Sequence, residues 1–341
     1  MRILLAGGSG DSGARLAPRL LAAGARVVIT TRQAPETLAA RFPAGVQWVQ
    51  CDPVGDPEAL AQVLRPLGPF DAVVNLLAAF IKGDPRGVVV NGTRNLLQAV
   101  SHLGHAPRFV QCSTTTVYGH RPGEWLTEES PTNGDLRIGQ LEVEGENILL
   151  EAESRGLCRP VVLRLPHIYG PGRNRSLEMM ARGEFFVFGD GSNPMHHLYV
   201  DDFIEVLFRA VEPHVPSGIY NVVEDVAEPY GRFCDFLTDW CGVNRLPRVS
   251  YDEAIQSGIV ARYLGPHMNQ PVLLRELFVY MTSVAVMSNH KMREHLCPVF
   301  RYPTFREGLA ALLTAAGHAD ARVRQDVSSE ERQCAPNFVT C

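Results

Sequence analysis

The fold is decided by the first residues of the chain, MRILLAGGSGDSGARL (residues 1–16), where Gly7, Gly10 and Gly13 are spaced GxxGxxG. The apolar run Ile3-Leu4-Leu5 precedes these glycines, and an Ala/Leu-rich run follows them. A strand that turns tightly into a helix presents the free backbone N–H groups of the helix N-terminus to an anion. The stretch therefore predicts a strand, a phosphate-binding loop and a helix, as at the start of a βαβ unit.

Each of the three glycines in the GxxGxxG pattern has an expected task in binding a dinucleotide. Gly7 permits the tight turn, Gly10 lets the backbone approach a pyrophosphate, and Gly13 allows close packing of helix on strand. Glycine-rich turns also occur for purely structural reasons, but the βαβ setting favours dinucleotide binding. The residues expected around the cofactor phosphates are Gly7, Ser9, Gly10, Asp11, Ser12 and Gly13.

Strand and helix patterns alternate through the first half of the chain. Short, apolar, β-branched runs predict strands at residues 3–5, 26–29, 46–49, 71–74, 108–110 and 161–163. Apolar residues at helical spacing predict helices at residues 14–23, 57–67, 91–103 and 139–154. The alternation predicts an α/β fold with a doubly wound parallel (Rossmann) sheet, whose ligands lie at the carboxyl ends of the strands.

The alternation loosens after the turn cluster Tyr169-Gly170-Pro171-Gly172. Residues 1–170 are predicted to form the dinucleotide-binding core, and residues 171–318 to complete it and form a smaller substrate lobe. Polar, aperiodic residues 319–341 predict a flexible tail. The elements predicted beyond the turn cluster are a helix at 201–211, an extended segment at 218–223, a helix at 230–241 and a core strand or helix at 277–287. Segments 174–193 and 247–270 are expected to line the substrate pocket.

Composition favours a protein that acts on a small molecule. With 45% hydrophobic and 20% charged residues and a formal net charge of -5, nothing attracts nucleic acid or an anionic membrane. No apolar run is long enough to span a bilayer, and no basic segment with an apolar core opens the chain. Eight cysteines without a CxxC pair, and no His cluster at zinc-ligand spacing, predict free thiols in a reducing cytoplasm and no metal site.

The end of the second predicted strand bears on the choice of nicotinamide cofactor. An acidic residue there binds the ribose 2′-OH of NAD, whereas arginine accommodates the 2′-phosphate of NADP. This chain reads Ile29-Thr30-Thr31-Arg32, with no acid. The sequence favours NADP, with NAD possible if Arg32 is only a solvated charge. Asp52, after the third strand, is a candidate acceptor for the adenine.

Five further motifs follow the glycine loop in order: VNGTRNLL (90–97), STTTVYG (113–119), LRLPHIYGP (163–171), YVDD (199–202) and YNV (220–222). Together with the loop they resemble the extended short-chain dehydrogenase/reductase family, in its NAD(P)-dependent epimerase/dehydratase group. The resemblance covers residues 1–313 and includes the C-terminal segments SNHK (288–291) and YPTFREGL (302–309).

The resemblance implies roles for particular residues. Those implied for the cofactor region are Leu77, Ala78 and Ala79 along the ribose, Asn91 bracing the neighbouring helix, and Pro166 and His167 against the nicotinamide. Thr114 stands where the family has a catalytic hydroxyl, and Asp202 is expected to cap and orient structure. Family members commonly pair through the helices at 91–103 and 139–154. A homodimer is therefore expected, with Leu96, Leu97, Val100, Leu141, Ile148 and Leu149 as compatible apolar positions.

One departure from the family concerns its Tyr-x-x-x-Lys pair. The matching stretch is read as Leu136 to Gln140, with Glu144 as the glutamate that follows, so leucine replaces tyrosine and glutamine replaces lysine. Tyrosine transfers a proton near neutrality only when a cation lowers its pKa from about 10. Gln140 can still hydrogen-bond the cofactor ribose but brings no charge. The active site is therefore expected to be atypical.

Three functions remain open. The first is an NADP-dependent oxidoreductase, or an epimerase or dehydratase with a transient hydride step, that acts on a small organic or sugar-like substrate with a substitute proton donor. The candidate catalytic residues are Thr114, Tyr118 and His167, with Tyr169 as a further donor. The second is a non-redox isomerase, lyase or cyclase on the same scaffold. The third is an NADP-binding sensor without turnover.

Overall fold

The computed structural model describes residues 1–78, 84–101, 103–173, 175–264 and 271–315. Ala79 and the predicted tail at 319–341 lie outside the described residues. The strands are β1 Arg2–Ala6, β2 Arg26–Thr31, β3 Gln47–Gln50, β4 Ala72–Asn75, β5 Arg108–Thr114, β6 Trp125–Leu126, β7 Arg159–Leu165, β8 His167–Tyr169, β9 Val187–Phe188, β10 Pro194–Met195, β11 His197–Tyr199, β12 Gly218–Asn221, β13 Glu228–Pro229, β14 Arg248–Val249 and β15 Val286–Met287.

Helices surround these strands on both sides of the main sheet. The α-helices are α1 Asp11–Ala22, α2 Pro57–Leu64, α3 Gly92–Ser101, α4 Arg137–Ser154, α5 Arg175–Ala181, α6 Val200–Ala210, α7 Tyr230–Cys241, α8 Tyr251–Ser257, α9 Ile259–Leu264, α10 Pro271–Thr282, α11 His290–His295 and α12 Phe305–Ala315. Short 3₁₀ helices cover Pro35–Thr37, Ala39–Arg41, Arg65–Leu67 and Thr115–Tyr118, and a π-helical turn covers Gly87–Asn91.

The main sheet has seven strands in the order β12-β7-β5-β4-β1-β2-β3, and every neighbouring pair is parallel. This confirms the doubly wound parallel sheet and all six strands predicted from the first half of the sequence. The seventh strand, β12, comes from the segment predicted to be extended at 218–223. Residues beyond 171 thus complete the edge of the sheet.

Both faces of the sheet are buried, which explains the continuous apolar runs of its strands. In β1, Ile3 and Leu5 pack into the core layer that contains α1 and α6, while Leu4 and Ala6 pack into the opposite layer with α2 and α3. A separate aromatic-rich cluster joins α5, α7, α10 and α12 beyond the carboxyl ends of the strands. The candidate site lies between this cluster and the carboxyl ends of the strands.

Several predicted helix bounds needed correction. The second helix ends at Leu64, and Arg65–Leu67 continues as a 3₁₀ turn around Pro66, because proline cannot donate the next helical hydrogen bond. The apolar run at 277–287 is divided between the end of α10 and β15. Helix α1 begins three residues earlier than its apolar periodicity suggested, because Gly10 is its N-cap.

The glycine loop brings α1 into direct contact with the end of β1. Gly7 has φ +69°, and its N–H donates to Thr30 Oγ1 at 3.0 Å. A Cβ on Gly13 would lie 1.8 Å from the Gly8 carbonyl oxygen, whereas a Cβ on Gly10 would meet nothing closer than 3.9 Å. Gly13 is therefore required for packing, and Gly10 leaves open space above the helix N-terminus.

We predict that Gly13→Ala destabilises the protein by about 3 kcal/mol or more, because the new methyl group overlaps the Gly8 carbonyl. Gly10→Ala is the matched control and should cost less than about 1 kcal/mol, since its Cβ enters open space. Chemical denaturation of both variants measures the difference. Equal stabilities would contradict the packing role of Gly13.

Candidate functional site

Three connected clefts run along the carboxyl ends of the parallel strands. The glycine-loop cleft, of about 740 Å³ including the open solvent at its mouth, borders the central cleft, of about 900 Å³ on the same measure, at Leu76, Leu77 and Ala78. The central cleft meets a distal cleft, of about 550 Å³ with its open solvent, at Pro166. The three clefts together form an elongated groove that crosses from the glycine loop to the C-terminal lobe.

The glycine-loop cleft collects most of the residues predicted to hold the adenine half of a dinucleotide. The cofactor-binding residues predicted from the sequence that line this cleft are Gly7, Ser9, Gly10, Arg32, Asp52, Leu77 and Ala78. Asp52 accepts a hydrogen bond from the Val54 N–H at 3.1 Å, which holds its carboxylate at the cleft wall. Arg32 is exposed at the end of β2. Gly13 is absent from the lining because it packs beneath the loop.

Arg173, a cation that was not predicted from the sequence, contacts the first turn of α1. Ser12 and Arg173 both line the central cleft, and Arg173 Nη2 donates to Ser12 Oγ. Asp11 lines none of the three clefts; its carboxylate lies 3.1 Å from Arg15 Nε and 3.7 Å from Arg173 Nε. Arg173 follows Gly170 and Gly172, both with positive φ, and these glycines could have signalled a loop folded back onto α1. A guanidinium beside a helix N-terminus suits a phosphate.

Thr114 lies in the central cleft, at the carboxyl end of the sheet. It ends β5 and lines the central cleft, together with Leu77, Ala78 and Pro166. Its Oγ1 accepts hydrogen bonds from the Thr116 N–H and the Thr116 hydroxyl, both at 3.3 Å. The hydroxyl proton of Thr114 can therefore be directed at an oxygen atom in the cleft.

The residues of α4 that line the central cleft lie two positions later in the sequence than predicted. Leu136 is the N-cap of α4 and lines the distal cleft, while Gln140 is exposed and donates to the Gly134 carbonyl at 3.1 Å. The side chains that α4 presents to the central cleft are Ile138 and Glu142, four residues apart on one helical face. The predicted position of Gln140 at the cofactor is wrong, because the phase of the helix turns it outward.

The same offset applies to the glutamate farther along α4. Glu144 forms a surface ion pair with Arg86 at 2.7 Å, whereas Glu146 is buried and pairs with Arg164 at 2.7 Å. Glu146 also accepts a hydrogen bond from Ser113 Oγ at 2.6 Å. The sequence of α4 contains neither tyrosine nor lysine, in this register or in the predicted one.

Glu142 is the titratable side chain on this face of α4. Burial, and to a lesser degree the nearby Glu146, raises the pKa of the Glu142 carboxyl to about 8. Its buried Oε2 has no hydrogen-bond partner among the described residues. At neutral pH this carboxyl is therefore largely protonated and can act as a hydrogen-bond donor.

Tyr118 cannot be the proton donor that the sequence suggested. It is fully buried and lines none of the three clefts. Its hydroxyl accepts from Arg164 Nη1 at 2.8 Å and lies 2.7 Å from Asn221 Oδ1. Burial raises the pKa of Tyr118 despite the neighbouring guanidinium. It is a structural member of a buried polar network.

His167 lines the distal cleft, but its protonation differs from what was expected. Burial, with a contribution from His197, lowers the pKa of His167 to about 3, so the imidazole is neutral at pH 7. Its buried Nδ1 has no hydrogen-bond partner in the described part of the chain. A neutral ring can hydrogen-bond a substrate, but it holds no imidazolium proton to give. Tyr169 is buried between His197 and Phe233 and faces no cleft.

Asp202 was expected from the sequence to cap and orient structure. The Asp202 carboxylate accepts hydrogen bonds from the backbone N–H groups of Arg301 at 2.7 Å and Tyr302 at 2.9 Å, which confirms its orienting role.

Most of the apolar positions proposed for a dimer interface are buried in the core of the chain itself. The buried ones are Leu96, Leu97, Val100, Leu141 and Leu149, with Ile148 partly buried. They therefore give no evidence for a dimer surface.

Comparison with known proteins identifies the family. The model of the NAD dependent epimerase/dehydratase family matches residues 3–222, more than half of the chain. The chain belongs to this family. The residues that carry the glycine loop, Thr114 and α4 all lie within the matched part.

Individual proteins that are similar to this chain share about 30% of its sequence or less. Human short-chain dehydrogenase/reductase family 42E member 1 is 27% identical over 83% of this chain and 79% of its own length. The dTDP-6-deoxy-L-talose 4-dehydrogenase (NAD(P)(+)) of Kitasatospora kifunensis is 31% identical over 50% of this chain and 54% of its own.

Solved structures show the same fold. The human epimerase family protein SDR39U1 with NADPH has a TM-score of 0.71 and 19% identity, over 92% of this chain and 99% of its own. UDP-glucose 4-epimerase from Thermotoga maritima has a TM-score of 0.72 and 17% identity, over 93% of this chain and 100% of its own. Within the described ranges, no helix has the length and apolar character needed to cross a membrane.

We predict that Tyr118→Phe lowers the free energy of unfolding by about 1–3 kcal/mol, because it leaves Arg164 and Asn221 short of a buried hydrogen-bond partner. Dinucleotide affinity should stay within about twofold, since Tyr118 lines no cleft. Urea denaturation and a fluorescence titration with NADPH measure the two quantities. Loss of NADPH binding in a folded, fully stable variant would contradict this assignment.

Proposed function

We propose that this chain is an NADP-dependent oxidoreductase, or an epimerase/dehydratase-type enzyme, that acts on a small organic or sugar-like substrate with an atypical active site. The observation that carries the proposal is the continuous groove from the glycine loop, past Thr114, to the distal cleft. Membership of the epimerase/dehydratase family supports it.

The residues of the groove fit an extended dinucleotide. Backbone N–H groups at Gly10 and the first turn of α1, with Arg173, would hold the pyrophosphate; Asp52 and Val54 would face the adenine. Pro166 would lie against the nicotinamide. When bound, the nicotinamide supplies or accepts a hydride.

NADP is favoured over NAD by the end of β2. Arg32 lines the glycine-loop cleft, and no acidic side chain stands between Ile29 and Arg32 to bind a ribose 2′-OH. Among the structural neighbours, the SDR39U1 structure contains NADPH, and the MoeE5 structure contains NAD. The Arg32 guanidinium at the rim of the glycine-loop cleft supports a preference of this chain for NADP.

The substrate would occupy the distal cleft and reach the central cleft with its reacting oxygen. Thr114 can hydrogen-bond that oxygen, but an aliphatic hydroxyl is too weak an acid to supply its proton alone. His167 and His196 line the distal cleft as neutral rings, since burial lowers the pKa of each to about 3. They would orient the substrate by hydrogen bonding.

A non-redox isomerase, lyase or cyclase is the second candidate. The observation that favours it is Ile138, an apolar side chain on the α4 face that borders the central cleft. Single-turnover absorbance with bound NADPH distinguishes the two candidates once a converted substrate is found by mass spectrometry. Transient or net loss of the reduced-nicotinamide absorbance supports the redox proposal, and conversion without any absorbance change supports the second candidate. Binding of NADPH with no conversion of any co-purifying small molecule favours a sensor.

We predict that the protein binds NADPH more tightly than NADH, and that Arg32→Asp weakens NADPH binding at least tenfold while sparing NADH, because a carboxylate repels the 2′-phosphate. Arg26→Asp, at the opposite end of β2, is the matched control and should leave both affinities unchanged. Calorimetry provides the dissociation constants. Equal affinities for NADPH and NADH in the unaltered protein would refute the preference for NADP.

We further propose that the protein is a homodimer, as the family resemblance implies. The apolar positions of α3 and α4 do not support this proposal, because most of them are buried within the chain. Light scattering at micromolar concentration should give twice the chain mass of 37.6 kDa. A single-chain mass would overturn this proposal.

A further inference from the structure

We propose that the Glu142 carboxyl is the group that exchanges a proton with the substrate oxygen in the central cleft. This inference rests on the proposed function and adds the proton carrier that it lacks. Glu142, on α4, lines the same cleft as Thr114, at the end of β5, and Pro166. No residue named from the sequence as a proton donor occupies this position.

The surroundings of Glu142 leave one of its carboxyl oxygens without a hydrogen-bond partner among the described residues. Ile138, one turn earlier on the same face, is apolar, and the buried Oε2 of Glu142 has no partner in the described structure. A buried carboxyl oxygen without a partner costs free energy unless a ligand or water meets it. An oxygen atom of a bound substrate would supply that partner.

Charged and titratable groups on α4, on β5 and in the loop after β8 lie near Glu142. Glu146, on the same helix, forms an ion pair with Arg164 at 2.7 Å. Cys112, on β5, is a neutral thiol, because burial and nearby Glu142 raise its pKa to about 12. Arg173, from the loop after β8, directs its guanidinium at Ser12 and Asp11. Burial, and to a lesser degree Glu146, raises the pKa of the Glu142 carboxyl to about 8.

The proton balance is complete without a further reactant. In the direction of reduction, the O–H bond of the Glu142 carboxyl breaks, and the proton joins the substrate oxygen as the carbonyl carbon receives the hydride that a reduced nicotinamide would supply. Thr114 donates a hydrogen bond to the same oxygen. The Glu142 carboxylate then regains a proton from water. In the direction of oxidation, the carboxylate accepts the hydroxyl proton.

The test measures the affinity of the protein for NADP⁺ relative to NADPH between pH 6 and pH 9.5. The two cofactors share every phosphate group and differ in the positive charge of the nicotinamide ring. Ionised Glu142 beside that ring should strengthen NADP⁺ binding relative to NADPH about tenfold as the pH rises through about 8. Calorimetry for NADP⁺ and fluorescence for NADPH give the ratio.

Two variants assign the effect to one carboxyl. Glu142→Gln, which is close in shape, should abolish the pH dependence of the ratio and, with a substrate in hand, lower turnover about 10²–10⁴-fold. Glu144→Gln, two residues away on the outer face of α4, should behave as the unaltered protein. A ratio that is independent of pH in the unaltered protein, or one that still changes in Glu142→Gln, would overturn the Glu142 assignment alone. Failure to bind either cofactor would overturn the proposed function and this assignment with it.

Discussion

The contact between Gly13 of α1 and the Gly8 carbonyl sets the geometry of the whole site. Because no side chain separates them, α1 begins directly above the end of β1, and its first N–H groups face the sheet edge. The Gly7 N–H fixes the loop to Thr30 on β2 at 3.0 Å. The parallel order of the seven strands then brings the ends of β2, β4 and β5 to the same edge, which produces one continuous groove.

A buried ion pair fixes the far wall of that groove. Glu146 and Arg164 are each 3% exposed, and the pair is extended by Ser113 and Tyr118. Removing one partner of such a pair typically costs about 3–5 kcal/mol, because the other charge is left buried and uncompensated. The network locks the rotation of α4 against β5 and β7, so that residues 138 and 142 face the cleft. The constraint on Glu146 therefore determines which carboxyl of α4 faces the central cleft.

The fold and the residues that line the glycine-loop cleft could be predicted because their signals are local. Strand patterns, the glycine spacing and the loop residues Ser9, Gly10 and Arg32 each depend on a few consecutive residues. The α4 face could not be predicted as reliably, because helical phase depends on the buried contact of Glu146 with a residue eighteen positions later. Tyr118 and His167 looked reactive by residue type, but burial removes the first from every cleft and keeps the second neutral. Arg173 was missed because its role depends on a loop folding back onto α1.

The central claim is that a dinucleotide lies along this groove with its reactive ring beside Thr114 and Glu142. A crystal structure of the protein with NADP⁺ tests it most directly. The account predicts the pyrophosphate at the first turn of α1 near Arg173, the 2′-phosphate at Arg32, and the nicotinamide between Pro166 and the Ile138–Glu142 face of α4. A nicotinamide ring bound outside the central cleft, or a dinucleotide bound away from the glycine loop, would contradict the account.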